Sequence, residues 1–293
     1  VRLARPTHSL RLIQLLRRLD AAGLVGLLLV CVFVIAAVSA PLIEPNDPQV
    51  QDIARRLRPP GYLDRQTSTI FWLGTDGLGR DVLSRLIEGA RVSLLVGVGG
   101  AGIAAVLGTL LGLTAGYAGG WLDSVIMRLV DVWQAIPFTI LAIAVVVILG
   151  PSLGNVIFVL GITSWVTYAR VVRGETLSQR SGEIVLAARV LGAGPVRIVL
   201  RHVLPQVSAS VIVLSSLLVG SMILFEASLS FLGLGVQPPT PSWGNMVLDG
   251  VEPIRTAWWV SFFPGLAILL SVMGINLLGD GLRDALDPRQ RRA

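Results

Sequence analysis

From Ala21 to Ile43 the chain runs without one charged side chain. A helix of that length crosses roughly 30 Å of hydrocarbon, and in lipid a helix satisfies its own backbone N–H and C=O groups. Five more apolar runs follow, near 90–118, 124–149, 153–172, 206–232 and 257–279. Charged residues make up 14% of the 293, against about a quarter in soluble domains, and mean hydropathy is +0.75. That much apolar surface cannot be buried in a core of the chain's own, so lipid is its solvent. The fold class expected is all-α: a polytopic membrane protein with six transmembrane helices. The first run resembles a signal peptide in having Ala40 before Pro41, yet it is about twice an h-region in length, and it reads as a retained helix.

Arginine sets the orientation. All 24 basic residues are Arg. An even number of spans puts both ends on one side, and both ends are basic: Arg2, Arg5, Arg11, Arg17 and Arg18 at one, Arg283, Arg289, Arg291 and Arg292 at the other. That side is cytoplasmic. The segment 173–205, with Arg173, Arg180, Arg189, Arg197 and Arg201, falls on it too. The loop 44–89 is expected outside although it carries six Arg, which Glu44, Asp47, Asp52, Asp64, Asp76, Asp81 and Glu88 outnumber. The organisation read from this is a cytoplasmic arm 1–20, a first span 21–43 and an extracytoplasmic loop 44–89. A five-helix core 90–280 follows, with an inner loop 175–205 and an outer segment 233–255, and then a cytoplasmic tail 281–293. Gly108 and Gly112 give the second span a small-xxx-small spacing for close helix approach.

Within the inner loop, "SGEIVLAARVLG" places Ile184, Leu186, Ala187, Val190 and Leu191 roughly on one amphipathic face. Ser181 is the expected cap, Gly192 and Gly194 the turn, and "PVRIVLRHVLP" a second helix delimited by Pro205. Such a helix, with Ala187, Ala188 and Gly192 on its surface, suits a pocket in another protein; the alternative is a connector lying on the membrane surface.

The same segment resembles the cytoplasmic EAA loop of bacterial ABC importer permeases: Glu-Ala-Ala, three residues, Gly, nine residues, Ile-x-Leu-Pro. Ala187, Ala188, Gly192, Leu204 and Pro205 match; Leu186 replaces the glutamate and His202 the isoleucine. "GTDGLGRDVLSRLIEGARVSLLVG" at 74–97 and "FEASLSFLGLGVQPPTPSWGNM" at 225–246 resemble C-type permeases of the dipeptide/oligopeptide/nickel branch. The resemblance implies a type I importer fold whose loop docks as a coupling helix on an ATPase through Glu183, Ala187, Ala188, Arg189, Gly192, Ala193, Leu204 and Pro205. It implies four kinds of partner: a B-type permease forming a heterodimer, one or two ABC ATPases that use ATP and Mg2+, an extracytoplasmic solute-binding protein, and a peptide substrate. It further implies a bacterial inner-membrane location and a short outer helix near the delivery point, making Asp76, Arg80, Asp81 and Trp243 docking candidates.

The residues exclude other chemistry. Without Lys there is no phosphate-binding GxxxxGK[ST] motif. His8 and His202 stand apart and Cys31 is alone, which makes no metal or catalytic set. No cofactor and no enzymatic role is expected. The net charge of +6 is spread beside the spans rather than gathered for nucleic acid. Acids in spans are costly, so Asp131, paired with Arg128 at i,i+3, and Glu226, near the end of span five, are candidates for the path, an interface or a fixed turn. Pro137, which kinks span three, is likewise a candidate for the path or an interface, and Thr75 or Asp76 the cap of a short helix near Leu78. Nickel complexes or glutathione-like solutes are the alternative cargo. A passive channel or secondary transporter is the alternative mechanism.

Overall fold

The computed structural model describes residues 19–286. The basic arm before it and the tail residues 287–293, on which half of the orientation argument falls, lie outside the described residues. Five helices are long and apolar enough to cross a membrane, and a bent pair makes up to six.

Helix α1 (Ala21–Ile43) starts at Asp20, whose carboxylate accepts from the Gly23 N–H at 2.7 Å. The outer loop then forms a short antiparallel hairpin, β1 (Tyr62–Asp64) with β2 (Thr69–Phe71), a local departure from the all-α pattern. Helix α2 (Val82–Ala118) begins eight residues before the expected span boundary at 90, because Asp81 caps it through the Leu83 and Ser84 N–H groups. The short helix expected near Leu78 does not form, and Asp76 closes a turn there instead.

The third span is not one helix. Helix α3 (Gly120–Ala135) and α4 (Phe138–Leu149) meet at 88°. Pro137 has no N–H to give and stands at the N-cap of α4. Helix α5 (Leu153–Arg180) continues past the expected end at 172 and leads into α6 (Glu183–Val190). Helix α7 (Pro195–Phe231) runs unbroken through Pro205, which therefore does not delimit it. A π turn at Val199–Val203, with the Leu204 N–H reaching back to the Val199 carbonyl, widens the helix where the ring would otherwise press on the preceding turn. A short outer helix α8 (Trp243–Asp249) and the last span α9 (Trp259–Leu286) complete the chain.

Lipid tails are as apolar as side chains, so helices here associate by close packing rather than by hydrophobic expulsion. Gly108 and Gly112 do this for α2 against α5. A Cβ on Gly108 would lie 2.3 Å from the Trp165 carbonyl oxygen, and one on Gly112 2.7 Å from that of Ala169. Three of the buried clusters follow one another down the bundle. Phe33, Val82, Trp243 and Trp259 pack at the outer end, Val96, Leu160, Tyr168 and Met222 in the middle, and Leu113, Val172, Val185 and Val207 at the loop end.

Candidate coupling site and outer cap

The inner loop is built on a short helix held from one side. Helix α6 starts at Gly182, with no side-chain cap; the expected cap, Ser181, instead donates its hydroxyl to the Ser178 carbonyl at 3.2 Å. Val185 and Ala188 turn inward onto Leu113, Val172, Ile198 and Val203. The apolar face read from the sequence points the other way: Ile184 is 60% exposed, Val190 87% and Leu191 86%. Of the two motif alanines, Ala187 is exposed and Ala188 buried. Glu183 and Arg189 are exposed in the first and last turns, each placed to suit the helix dipole.

The helix stops by hydrogen bonding and by backbone shape. The Ala193 N–H reaches the Ala188 carbonyl and the Gly192 N–H that of Arg189, both at 3.0 Å. These are the paired bonds of a Schellman end. Gly192 carries the left-handed φ of 79° that this end requires, with open space where a side chain would go. Gly194 then caps α7 and Pro195 takes its first position. Leu204 is half-buried and Pro205 exposed on the π-turn segment that follows.

At the outer end the candidate docking residues come together, but as a buried network. Asp76 accepts from the Leu78 and Arg80 N–H groups at 2.9 and 3.0 Å, from Arg80 Nε at 2.7 Å, and from Arg85. Arg80 and Arg85 also reach Asp249 of α8, at 3.0 and 3.2 Å. Asp81 takes the Ser84 hydroxyl at 2.6 Å and the Asn46 amide at 3.0 Å. Trp243 packs on Phe33 and donates to the Leu86 carbonyl at 2.9 Å, while Trp259 donates to that of Thr75 at 3.1 Å. Asp76, Arg80, Asp81 and Trp243 are all buried. They join the outer loop to α2 and α8 and present no surface of their own. Nearby, burial and the facing Glu88, then Asp47, push the Glu44 carboxyl up to about 7, against the pull of Arg91.

Asp131 pairs at 2.8 Å with Arg170 of α5, not with Arg128; the neighbouring Asp123 is gripped by Arg173 through both Nε and Nη2. Glu226 is fully buried. It accepts from the Ser230 hydroxyl at 2.6 Å, and that hydroxyl accepts the Val236 N–H at 3.2 Å, which fixes the turn after α7. Sequence reasoning missed Arg170, Arg85 and Asp249. The available signal was charge balance: two acids on α3 facing two arginines three residues apart on α5.

Residues 108–292 match the family model described as the inner membrane component of binding-protein-dependent transport systems. The di/tripeptide transport system permease protein DppC of Pseudomonas aeruginosa (strain UCBPP-PA14) is 47% identical over 274 residues, 94% of this chain and 90% of that one. The dipeptide permease DppC of Bacillus subtilis (strain 168) is 42% identical, over 92% of this chain and 82% of its own. The glutathione transport system permease GsiD of Pectobacterium atrosepticum is 47% identical over 227 residues, 78% and 75% of the two chains. Among solved structures, the inward-facing MetNI methionine ABC transporter superposes with a TM-score of 0.55 at 21% identity, over 70% of this chain and 97% of that one.

Proposed function

The chain belongs to the family of binding-protein-dependent transport system inner membrane components, and we propose that it is half of the translocation path of an ABC importer for di- or oligopeptides. The other half is a homologous B-type permease. Peptide arrives from an extracytoplasmic binding protein, one or two ABC ATPases bind the inner loop, and both chain ends are cytoplasmic.

The observation that carries this reading is the orientation of α6. Its apolar residues face outward while Val185 and Ala188 fasten it to the feet of α5 and α7. An apolar crown that nothing among the described residues covers is an interface, and a helix clamped from behind transmits displacement rather than absorbing it. ATP and Mg2+ act in the ATPases, so what reaches this chain is movement of the loop. The α3–α4 break supplies a place where a span yields to small shifts.

Glu183, Ala187, Arg189, Gly192 and Ala193 belong to the docking surface or its turn. Ala188, Leu204 and Pro205 set the loop's angle to the bundle. The relatives that transport di- and tripeptides support peptide as the cargo. The relative that transports glutathione supports a second reading, since glutathione is itself a small peptide with free termini.

The test is uptake of labelled dipeptide and of labelled glutathione by the complex co-purified with its neighbouring subunits in proteoliposomes. Native uptake is expected to need ATP. Gly192→Trp is expected to insert normally and to lose both uptake and substrate-stimulated hydrolysis. Uptake that continues without ATP and ignores Gly192→Trp would make the chain a passive carrier.

A further inference from the structure

Most spans show lipid an apolar surface. On α1 the most exposed large side chains, Leu28, Val32, Ile35, Val38 and Leu42, are all aliphatic. Helices α3 and α5 differ. On α3, one exposed stripe is apolar (Trp121, Val125, Leu129, Val132), but the flank beside it carries Ser124, Arg128, Asp131 and Gln134. On α5 the open arc carries Ser164, Thr167, Arg170, Gly174 and Ser178, interrupted by Val171 and Leu177. The two polar flanks meet at the Asp131–Arg170 pair, whose side chains are 70% and 52% exposed. From Ser178 to Ser164 this lane climbs about 21 Å at the α-helical rise. It begins at the loop end and stops where α4 turns away and Phe138 packs on Phe225, ring centres 4.2 Å apart.

A lane of hydroxyls, amide and ion pair climbing that far along two spans is poorly matched to hydrocarbon. The two arginines of α5 show what it is for. Arg173 spends Nε and Nη2 on Asp123 and locks α3 to α5. Arg170, three residues away, gives Asp131 a single bond from Nη2, so among the described residues most of its planar fork is free for a second carboxylate.

We propose that this lane is a wall of the water-filled path. The Asp131–Arg170 pair on it meets a zwitterionic peptide, the carboxylate taking its ammonium and the guanidinium its terminal carboxylate. An exposed, singly bonded pair opens easily and recloses behind the substrate, as a transit site requires. The inference rests on the importer reading above.

The test uses the one native cysteine. In a Cys31→Ser background, Thr167→Cys and Gln134→Cys on the lane and Val32→Cys on α1 are made singly. They are assembled with the other subunits and treated in proteoliposomes with a water-soluble thiosulfonate. The lane thiols are expected to react at least tenfold faster than Val32→Cys, and several-fold more slowly during turnover with dipeptide and binding protein. Arg170→Gln is expected to lower the kcat of uptake about tenfold and leave KM, set outside by the binding protein, unmoved, with Arg170→Lys recovering part of the rate. Lane thiols no faster than Val32→Cys, or Arg170→Gln transporting at the native rate, overturn the proposal. If native complex takes up no peptide while the lane thiols still react, the peptide reading fails and the pair loses its assigned substrate, but the water-filled wall stands.

Discussion

At the outer end of the molecule the charges are inside: Asp76, Arg80, Asp81 and Arg85 are buried beneath the loop, α8 and two tryptophans. At the loop end the arrangement is inverted, with Ile184, Val190, Leu191 and Val196 facing outward. The outer end pairs its buried charges, Asp76 and Asp249 with Arg80 and Arg85, within one chain. The loop end leaves an apolar face without a partner among the described residues. The contrast teaches which end this polypeptide completes by itself, and it can be attacked from either side.

The largest effect is expected at the outer end. Asp76→Ala leaves Arg80 and Arg85 buried beside each other with only Asp249 between them, and breaking a buried pair by removing one partner costs about 3–5 kcal/mol. The unfolding midpoint of the purified complex should fall steeply, and a midpoint unchanged within error would mean that the network is not what holds the cap. Gly192→Ala comes next. A left-handed residue with a Cβ costs roughly 1–2 kcal/mol, here paid in open space at φ 79°. Protease sensitivity confined to the loop is the expected sign.

Leu191→Ser should be nearly silent for stability, within about 0.5 kcal/mol as for other exposed sites, yet reduce co-purification of the ATPase. A stability loss without a change in co-purification would reverse the comparison. The smallest effect is one of pH at Glu44. Its carboxyl is raised from an ordinary 4.5 to about 7, so its contribution to stability is complete below the unfolded value and disappears as pH rises through about 7. The outer cap should therefore loosen over that window, and Glu44→Gln should flatten the profile of unfolding midpoint against pH.

The spans were legible because a long uncharged run has few other uses, and the loop's turn because Gly192, Gly194 and Pro195 are specific to it. Direction was not legible. Periodicity placed Ile184, Ala187 and Leu191 together, but an apolar face reads the same whether it meets its own core or a partner. Asp131 was assigned to Arg128 by local spacing, whereas the geometry brings Arg170 from 39 residues away. The Arg80–Asp249 contact joins positions 169 apart, which no single sequence reveals. Strands of three residues give no alternation to detect, and Pro137 announces a break without its angle, which α5 and α7 decide by packing.

The bent third span also bears on how the chain enters the membrane. Helix α4 has 12 residues, about 18 Å of helix, well short of a bilayer core, and α3 brings Asp123 and Asp131, each of which opposes insertion by up to roughly 3 kcal/mol when central. Neither half makes a stable stop on its own. Arg170 and Arg173 arrive only with α5, so the translocon must hold the bent segment until its counter-charges are synthesised and then release the three helices together. A single cysteine placed at Val147 in a Cys31→Ser chain truncated at Gly150 should accordingly stay open to a water-soluble thiol reagent, and the same cysteine in a chain ending after Arg180 should be protected.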